Sequence, residues 1–182
     1  MIAIPSVTQA IGFGNPGAFA NIPPDLLQAA QDRGTKFHEV AAAYALKLWL
    51  PELRDDLTGF FLSFSRWFDK FVVETVMVEQ RLSHPTLYYE GTPDWVGRLK
   101  GDQGLTLLDW KTPHYASKGW RLQLAGYKAL AEQAGHKITR VASLQPRRDG
   151  KVAKFIDYPN SLTGDLGVFM AVLSVWRFYN GD

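Results

Sequence analysis

Two strand-like segments on either side of a glycine-bounded turn constrain the fold of this chain more than any other feature. The segments are residues 95–100 (WVGRLK) and 105–110 (LTLLDW), and the turn between them is residues 101–104 (GDQG). Glycine and aspartate favour turns, whereas β-branched, aromatic and other apolar residues on both sides favour strands. The whole segment is therefore predicted to form a β-hairpin.

Two acidic residues lie at one end of this hairpin. Asp94 precedes the first strand, and Asp109 lies near the end of the second, two positions before Lys111. If the turn centres on residues 102–103, Asp94 lies opposite Lys111 and diagonal to Asp109. Residues two apart on a strand share a face, so this register places all three side chains on one side of the hairpin. A slip of one residue would move Asp94 to the other face.

The surroundings of Asp109 indicate a buried carboxylate. Asp109 follows an apolar run and precedes Trp110, so we expect it where a buried strand emerges. A carboxylate there needs a partner to offset its desolvation. A cation shared with Asp94 would supply that partner, and Lys111 alone could also do so. The remaining interpretation is that both aspartates are ordinary strand-end residues, solvated or capping a turn.

Several motifs resemble, in the right order, those of the PD-(D/E)XK nuclease superfamily, in its RecB-like branch of DNA exonucleases. The matching segments are residues 5–8 (PSVT), 33–39 (RGTKFHE), 78–79 (VE), 91–94 (GTPD), 107–112 (LLDWKT) and 123–127 (QLAGY). Asp-x-Lys alone is a weak signal, but ordered elements at plausible spacing are a strong one. The resemblance implies an α/β fold with a mixed central β-sheet flanked by helices, a restriction-endonuclease-like core, and a metal-dependent DNA exonuclease activity.

The resemblance also implies a divalent-cation site. His38, Asp94 and Asp109 would be metal ligands, with the backbone carbonyl of Trp110 as a further one. Glu79 would act through the metal or through a water molecule bound to it. Oxygen ligands with one imidazole suit Mg²⁺ or Mn²⁺, and the histidine favours Mn²⁺ slightly.

The other matched residues would act on the substrate. Lys111 would orient the attacking water or stabilise developing charge. Gln123 and Tyr127 are four residues apart and therefore meet on one helical face, where they would position the scissile strand or steady the site. Lys118 and Arg121 closely follow the Asp-x-Lys strand, and we expect them to contact DNA phosphates at the rim of the site.

Without the resemblance, three of these residues have simpler interpretations. A lone histidine beside an apolar helical stripe, as at His38, is more often a rim or core residue than a ligand. Glu79 would more often form a strand-end ion pair with Arg81. Tyr127, at helical spacing from apolar neighbours, would usually be a core residue.

A second basic group and two aromatic residues also bear on nucleic acid. The basic group is predicted to lie on a second hairpin and consists of Arg147, Arg148, Lys151 and Lys154. Such clusters are usually solvated faces, but beside a phosphodiester-cleaving site they could contact phosphates. Tyr115 and Trp120 are predicted to stack on unpaired bases.

Periodicity and capping signals predict the remaining elements. The predicted helices are residues 24–48, 55–68, 119–133 and 162–179. The predicted further strands are residues 71–82, 138–145 and 152–158, with residues 73, 75, 77 and 79 on one face of the first. Residues 12–24 and 112–118 are predicted to be loops. Residues 12–17 (GFGNPG) fit a dinucleotide-binding pattern, but prolines crowd the segment where its helix would run, so we disfavour that site.

Length and composition fit a single domain spanning residues 1–182, and the resemblance implies that this domain is nuclease-like. The formal net charge is only +2, so binding of DNA ends or single-stranded segments must depend on local basic patches. The chain has no cysteine, which excludes disulfides and the four-cysteine iron–sulfur staple of some RecB-like members. No signal peptide or membrane-spanning run is evident, so we expect a soluble, cytoplasmic protein.

Three functions stay open at this stage. The favoured one is a metal-dependent exonuclease of DNA recombination, repair or phage DNA metabolism. The second is a DNA endonuclease of the same superfamily, because the same core serves both. The third is a non-catalytic DNA-binding module. Such a module would have no need of a shared site formed by five residues, namely His38, Glu79, Asp94, Asp109 and Lys111. Each of these functions is compatible with a homo-oligomer, or with a partner protein that acts in recombination or repair.

Overall fold

The computed structural model describes residues 4–113, 115–159 and 162–181. In these ranges the helices are α1 (Val7–Gly14), α2 (Pro24–Ala45), α3 (Asp55–Phe71), α4 (Gly119–Gln133) and α5 (Leu162–Asn180). The strands are β1 (Val72–Val78), β2 (Leu82–His84), β3 (Tyr89–Gly91), β4 (Trp95–Leu99), β5 (Leu105–Trp110), β6 (Ile138–Gln145) and β7 (Lys154–Asp157).

One mixed sheet has the strand order β1-β4-β5-β6-β7, and β2 pairs with β3 in a small separate sheet. β5 and β6 are parallel, whereas the other neighbours in the large sheet are antiparallel. A parallel pair requires a crossover connection, which α4 supplies between β5 and β6. The predicted α/β class, with a mixed central sheet flanked by helices, is confirmed.

Two apolar clusters show that helices cover both faces of the sheet. The cluster that joins α2 and α3 to the sheet includes Phe37, Phe64, Phe68, Trp95 and Trp110. The cluster that joins α1, α4 and α5 to the sheet includes Val7, Val96, Leu107, Leu124 and Phe169. Alternation along β5 separates Leu107 from Leu108. Asp109 therefore shares the face of Leu107, on the side of α4.

The predicted hairpin of β4 and β5 is present, but its register differs from the prediction by two residues. Trp95 pairs with Leu108, so continuing this register puts Asp94 opposite Asp109 rather than Lys111. Because side chains alternate with a period of two, a shift of two residues preserves the face. The two acids are therefore neighbours, as predicted, although the predicted register is wrong.

Asp102 explains why the turn is longer than predicted. Its backbone N–H donates to the carbonyl of Leu99, and its carboxylate accepts from the hydroxyl of Thr106. Gly101 adopts a φ of 91°, which glycine reaches at little steric cost. These contacts close the hairpin over residues 100–104 rather than over the predicted turn of residues 101–104.

The strand predicted over residues 71–82 is shorter and less regular than predicted. β1 ends at Val78, and two irregularities interrupt its pairing with β4. An extra residue in one strand reverses the face of the residues that follow. Thr75 pairs with Gly97, but Met77 pairs with the neighbouring Val96, so these two side chains lie on opposite faces. The single face predicted for residues 73, 75, 77 and 79 is therefore wrong. Glu79 lies just beyond the strand.

Helix α1 is absent from the predicted elements, and its last residues occupy the start of the predicted loop over residues 12–24. Ser6 and Gln9 form a capping box, in which each side-chain oxygen accepts from the backbone N–H of the other residue. This Ser-x-x-Gln signal was readable from the sequence. The Gly-x-Gly-x-x-Gly pattern begins inside α1 rather than ahead of a helix, which argues against a dinucleotide loop.

The other predicted elements agree with the structure to within a few residues. α4 and β6 have the predicted bounds, α3 continues to Phe71, and β7 begins only at Lys154. α2 ends at Ala45 because Lys47 adopts a positive φ of 57°. Within the described ranges, no helix is both long enough and apolar enough to cross a membrane.

Candidate metal centre and active site

Asp94 and Asp109 lie side by side where β4 begins and β5 ends. Asp94 is 4% exposed, and Asp109 is fully buried. Oδ2 of Asp94 accepts a hydrogen bond from the backbone N–H of Trp110. This bond fixes Asp94 against β5 and leaves its other oxygen for a different partner. The structure thus brings together the two acids expected from the hairpin.

His38 reaches the same point from α2. Its neighbour Phe37 is fully buried in the core, which fixes the orientation of this part of the helix. Nδ1 of His38 lies 2.9 Å from Oε1 of Glu79 and 3.5 Å from Oδ1 of Asp94. Nε2 lies 3.0 Å from the carbonyl oxygen of Trp110. A carbonyl only accepts, so Nε2 carries a proton and Nδ1 is the nitrogen that faces the two carboxylates.

Glu79 enters the site through a left-handed backbone conformation, with a φ of 47°. For a residue other than glycine this conformation costs about 1 kcal/mol or more. The backbone N–H of Glu79 donates to the carbonyl of Asp94 over 3.1 Å. The ion pair between Glu79 and Arg81, which the residues alone favoured, is not formed, because Arg81 pairs with Glu90.

Three residues offer ligand atoms at one point. One such atom from each of His38, Glu79 and Asp94 lies within 4.8 Å of the other two. Two carboxylates and one imidazole form a donor set that Mg²⁺ and Mn²⁺ accept. A cation would also offset the desolvation of buried Asp94. These residues therefore fit a divalent cation. The carbonyl of Trp110, in contrast, accepts from His38 and would hold the imidazole in orientation.

Asp109 stands next to this group and pairs with Lys111. Nζ of Lys111 lies 2.6 Å from Oδ2 of Asp109. Neither oxygen of Asp109 accepts a hydrogen bond of good geometry from the described residues. A buried carboxylate with open acceptor positions is costly. These oxygens are therefore available to a cation or to water, in addition to the ammonium group.

A chain of hydrogen bonds links Lys111 to α4. Nζ of Lys111 donates to Oε1 of Gln123 over 2.9 Å, and Nε2 of Gln123 donates to the hydroxyl of Tyr127 over 3.1 Å. Tyr127 is only 5% exposed, so it is both a core residue and a partner of the site. The chain of bonds holds the ammonium group between Asp109 and Gln123.

Trp120 lies beneath Lys111 rather than at the rim of the site. It is 7% exposed, and its ring centroid is 5.9 Å from Nζ of Lys111. The prediction that Trp120 stacks on a base is therefore wrong. The sequence did contain a signal for this position. Trp120 and Gln123 are three residues apart on a helix and share a face, and Gln123 is the residue that binds Lys111. Tyr115, by comparison, is 83% exposed.

The two basic residues that were expected to contact DNA phosphates lie at the start of α4. Lys118 is the exposed residue that precedes the helix. Arg121 donates two hydrogen bonds, of 2.9 and 2.8 Å, to Asp165 of α5. This bidentate pair occupies the edge of the guanidinium that would otherwise bind a phosphate. Arg121 therefore joins two helices in the structure.

Burial and charge act against each other on the pKa values of the site. Burial raises the pKa of Asp109 to about 7, although Lys111 lowers it. Burial also raises the pKa of Asp94, against the lowering effect of His38 and Lys111. Burial lowers the pKa of His38, but the charges of Asp94 and Glu79 outweigh it and bring the value to about 9. Without metal, an imidazolium cation thus balances part of the acidic charge.

Comparison with known proteins gives distant similarities to solved structures. No family model matches the chain, and no curated protein matches it. The crystal structure of an alkaline exonuclease from Laribacter hongkongensis aligns with a TM-score of 0.39 and 12% identity, covering 81% of this chain and 82% of that one. A structure of this exonuclease in complex with dAMP aligns with a TM-score of 0.39 and 13% identity, covering 97% and 90%. These similarities are too distant to identify the family.

Proposed function

We propose that this chain is a Mg²⁺- or Mn²⁺-dependent deoxyribonuclease that hydrolyses phosphodiester bonds from DNA ends. The observation that supports it best is the convergence of ligand atoms from His38, Glu79 and Asp94 within 4.8 Å, beside the buried pair of Asp109 and Lys111. A divalent cation bound there would polarise the phosphodiester and favour ionisation of a water molecule. Asp109 would serve as a further ligand.

The backbone of Trp110 orients two of the proposed ligands. Its N–H donates to Asp94, and its carbonyl accepts from Nε2 of His38. The backbone of one residue at the end of β5 therefore holds both ligands. β5 is a rigid element of the central sheet. Such support keeps ligand atoms in place and increases their affinity for metal.

Lys111 is the residue proposed to act on the reacting phosphate or on the attacking water. Its ammonium group is held 2.6 Å from Asp109 and 2.9 Å from Gln123. A positive charge fixed in this way stabilises negative charge that develops in the transition state without reorganisation. Gln123 and Tyr127 are proposed to hold the lysine and to position the scissile strand, and Lys118 is proposed as a phosphate contact.

The exonuclease mode, and a role in recombination, repair or phage DNA metabolism, depend on the sequence resemblance to RecB-like DNA exonucleases. The single domain over residues 1–182 and the cytoplasmic location are also proposals, and they rest on the length and composition of the chain. An endonuclease would use the same metal site. A non-catalytic DNA-binding module would not require a lysine held beside buried carboxylates, so we favour an enzyme.

Digestion of DNA tests this proposal. Linear duplex, linear single strands and closed circles, each labelled, are incubated with the protein in Mg²⁺, in Mn²⁺ and in EDTA, beside Asp109→Asn prepared identically. We expect cleavage of linear DNA only with a metal and only by the unaltered chain, with release of small products from ends. Cutting of closed circles would favour the endonuclease. No cleavage of any DNA in either metal would contradict the proposed activity.

A further inference from the structure

A cleft of about 940 Å³ opens beside the candidate active site. Thr112 lines it directly after Lys111, so the cleft begins where the Asp-x-Lys strand ends. Its other walls come from α2, α3 and the turn between β6 and β7. We call it the basic cleft and define it by Arg33, Thr112, Arg148 and Lys154.

The positive charge of the basic cleft is not neutralised by the protein. Two acidic residues line the cleft, but Asp56 pairs with Arg54 and Asp149 pairs with Arg147. Arg33, Arg148 and Lys154, in contrast, form no ion pair with any residue that the structure describes. Nε of Arg33 is also buried without a hydrogen-bond acceptor in that part of the chain. Three cations without counter-charges in one cleft favour a polyanionic ligand.

The turn that carries Arg148 is held firmly against α3. Gly59 allows this contact, because a Cβ at that position would lie 1.7 Å from the carbonyl oxygen of Arg148. The backbone N–H of Arg147 donates to the hydroxyl of Ser63 over 2.9 Å, and Arg66 donates to the carbonyl of Gly150 over 3.3 Å. The backbone at Arg148 is therefore positioned before any ligand binds, which lowers the entropic cost of binding.

An aromatic side chain at the mouth of the cleft indicates which form of nucleic acid it fits. Tyr115 lines the cleft and is 83% exposed. A duplex presents mainly phosphates to such a surface, whereas an unpaired base can stack on an exposed ring. Phosphate-binding cations next to an exposed aromatic ring are the two components of a single-strand groove.

We propose that the basic cleft binds the backbone of the unpaired nucleotides adjoining the scissile bond, with a base stacked on Tyr115. This inference rests on the proposed nuclease function and names its substrate as a single strand. Arg33, Arg148 and Lys154 contact successive phosphates, and Thr112 links this path to Lys111. The main strand path thus runs toward the β6–β7 turn, and Lys118 is a separate phosphate contact outside the cleft.

Salt-dependent binding of a fluorescent oligothymidylate, measured in Ca²⁺ to prevent cutting, tests the proposal. The test variant combines Arg33→Gln, Arg148→Gln and Lys154→Gln. The control combines Lys70→Gln, Lys100→Gln and Lys137→Gln, which remove equal charge at the opposite end of the sheet. Each phosphate contact to a single strand contributes about 0.7 to the slope of log affinity against log salt. The test variant should lose about two from this slope, and the control should keep it.

Two further readouts distinguish a loss of phosphate contacts from a loss of folding. The test variant should bind Mn²⁺ as the unaltered chain does, and each single substitution should lower the slope by about 0.7. Tyr115→Ala should weaken binding about tenfold or more, whereas Tyr115→Phe should not.

The outcomes separate this proposal from the proposed activity. An unchanged slope in the test variant, an equal loss in the control, or tighter binding of a blunt duplex than of the oligothymidylate would overturn the cleft assignment. If the slope changes as expected but the unaltered chain cuts no DNA in Mg²⁺ or Mn²⁺, the cleft assignment stands and the nuclease proposal fails.

Discussion

The carboxylate of Asp94 accepts a hydrogen bond from the backbone N–H of Trp110, sixteen positions farther along the chain. This bond joins the start of β4 to the end of β5 and turns one oxygen of Asp94 away from the proposed metal site. The other oxygen lies 3.5 Å from Nδ1 of His38. One carboxylate therefore has a structural oxygen and a functional oxygen.

Two substitutions at Asp94 should separate these roles. Asp94→Asn keeps an acceptor for the N–H of Trp110, whereas Asp94→Ala leaves that N–H buried without a partner. We expect Asp94→Ala to lower the free energy of unfolding by about 1–3 kcal/mol more than Asp94→Asn does. Urea unfolding in EDTA measures the difference. Equal stabilities would mean that the hydrogen bond is not a significant structural contact.

The pair of Asp109 and Lys111 should be energetically coupled. Lys111→Met keeps the aliphatic stem over Trp120 but removes the charge beside a fully buried carboxylate. At pH above about 7, where the unaltered Asp109 ionises, this change should cost on the order of 3 kcal/mol. Much of that cost should disappear in a Lys111→Met, Asp109→Asn double variant.

A double-mutant cycle in EDTA measures this coupling. If Lys111→Met costs the same with and without Asp109→Asn, the two side chains are independent. Both single variants are also expected to lose DNA cleavage, because the proposed reaction uses both groups.

Two substitutions of Glu79 should differ in stability but should both weaken metal binding. Its backbone is left-handed, so Glu79→Gly should be more stable than Glu79→Ala by about 1 kcal/mol in EDTA. Both variants lack the carboxylate and should bind Mn²⁺ more weakly than the unaltered chain. Thermal unfolding and metal titration of the two variants provide the test. Greater stability of the alanine variant would indicate that the backbone at Glu79 is not strained.

Stability of the metal-free protein should fall as the pH rises. The folded state raises the pKa of Asp109 to about 7 and that of His38 to about 9. The folded protein therefore holds more protons than the unfolded chain between the ordinary and the raised value of each group, so stability is lost as pH rises through these ranges. Urea unfolding in EDTA at pH values from about 5 to about 9 measures it.

A bound cation should reverse this dependence, because its ligands must be deprotonated. The increase in melting temperature caused by saturating Mn²⁺ should therefore grow with pH. Asp109→Asn should remove the part of the metal-free dependence that lies below pH 7. A metal-free stability that rises steadily over the same range would contradict the pKa shifts.

The sequence predicted most regular elements because their signals are local. α3, α4 and β6 have strong periodicity and lie close to their predicted positions. α1 was missed because it is short and rich in glycine, although its capping box was legible. The irregularities of β1 were not predictable, because extra residues in a strand depend on its partner and leave little trace in one sequence.

The site was predictable only in part. The hairpin placed Asp94 beside Asp109 even though its register was wrong, because a shift of two residues keeps the face. The contact between His38 and Glu79 joins residues 41 positions apart, and only the family resemblance suggested it. The pairing of Arg121 with Asp165 involves a helix whose docking no local pattern reveals.

Calorimetric titration of Mn²⁺ into the unaltered chain and into Asp94→Asn tests the central claim, a divalent-cation site at His38, Glu79 and Asp94, most directly. The substitution preserves the hydrogen bond to Trp110 but removes one ligand charge at the point where the three side chains meet. We predict that the unaltered chain binds Mn²⁺ and that Asp94→Asn weakens this binding at least about tenfold. Equal affinities, or no binding by the unaltered chain, would contradict the claim.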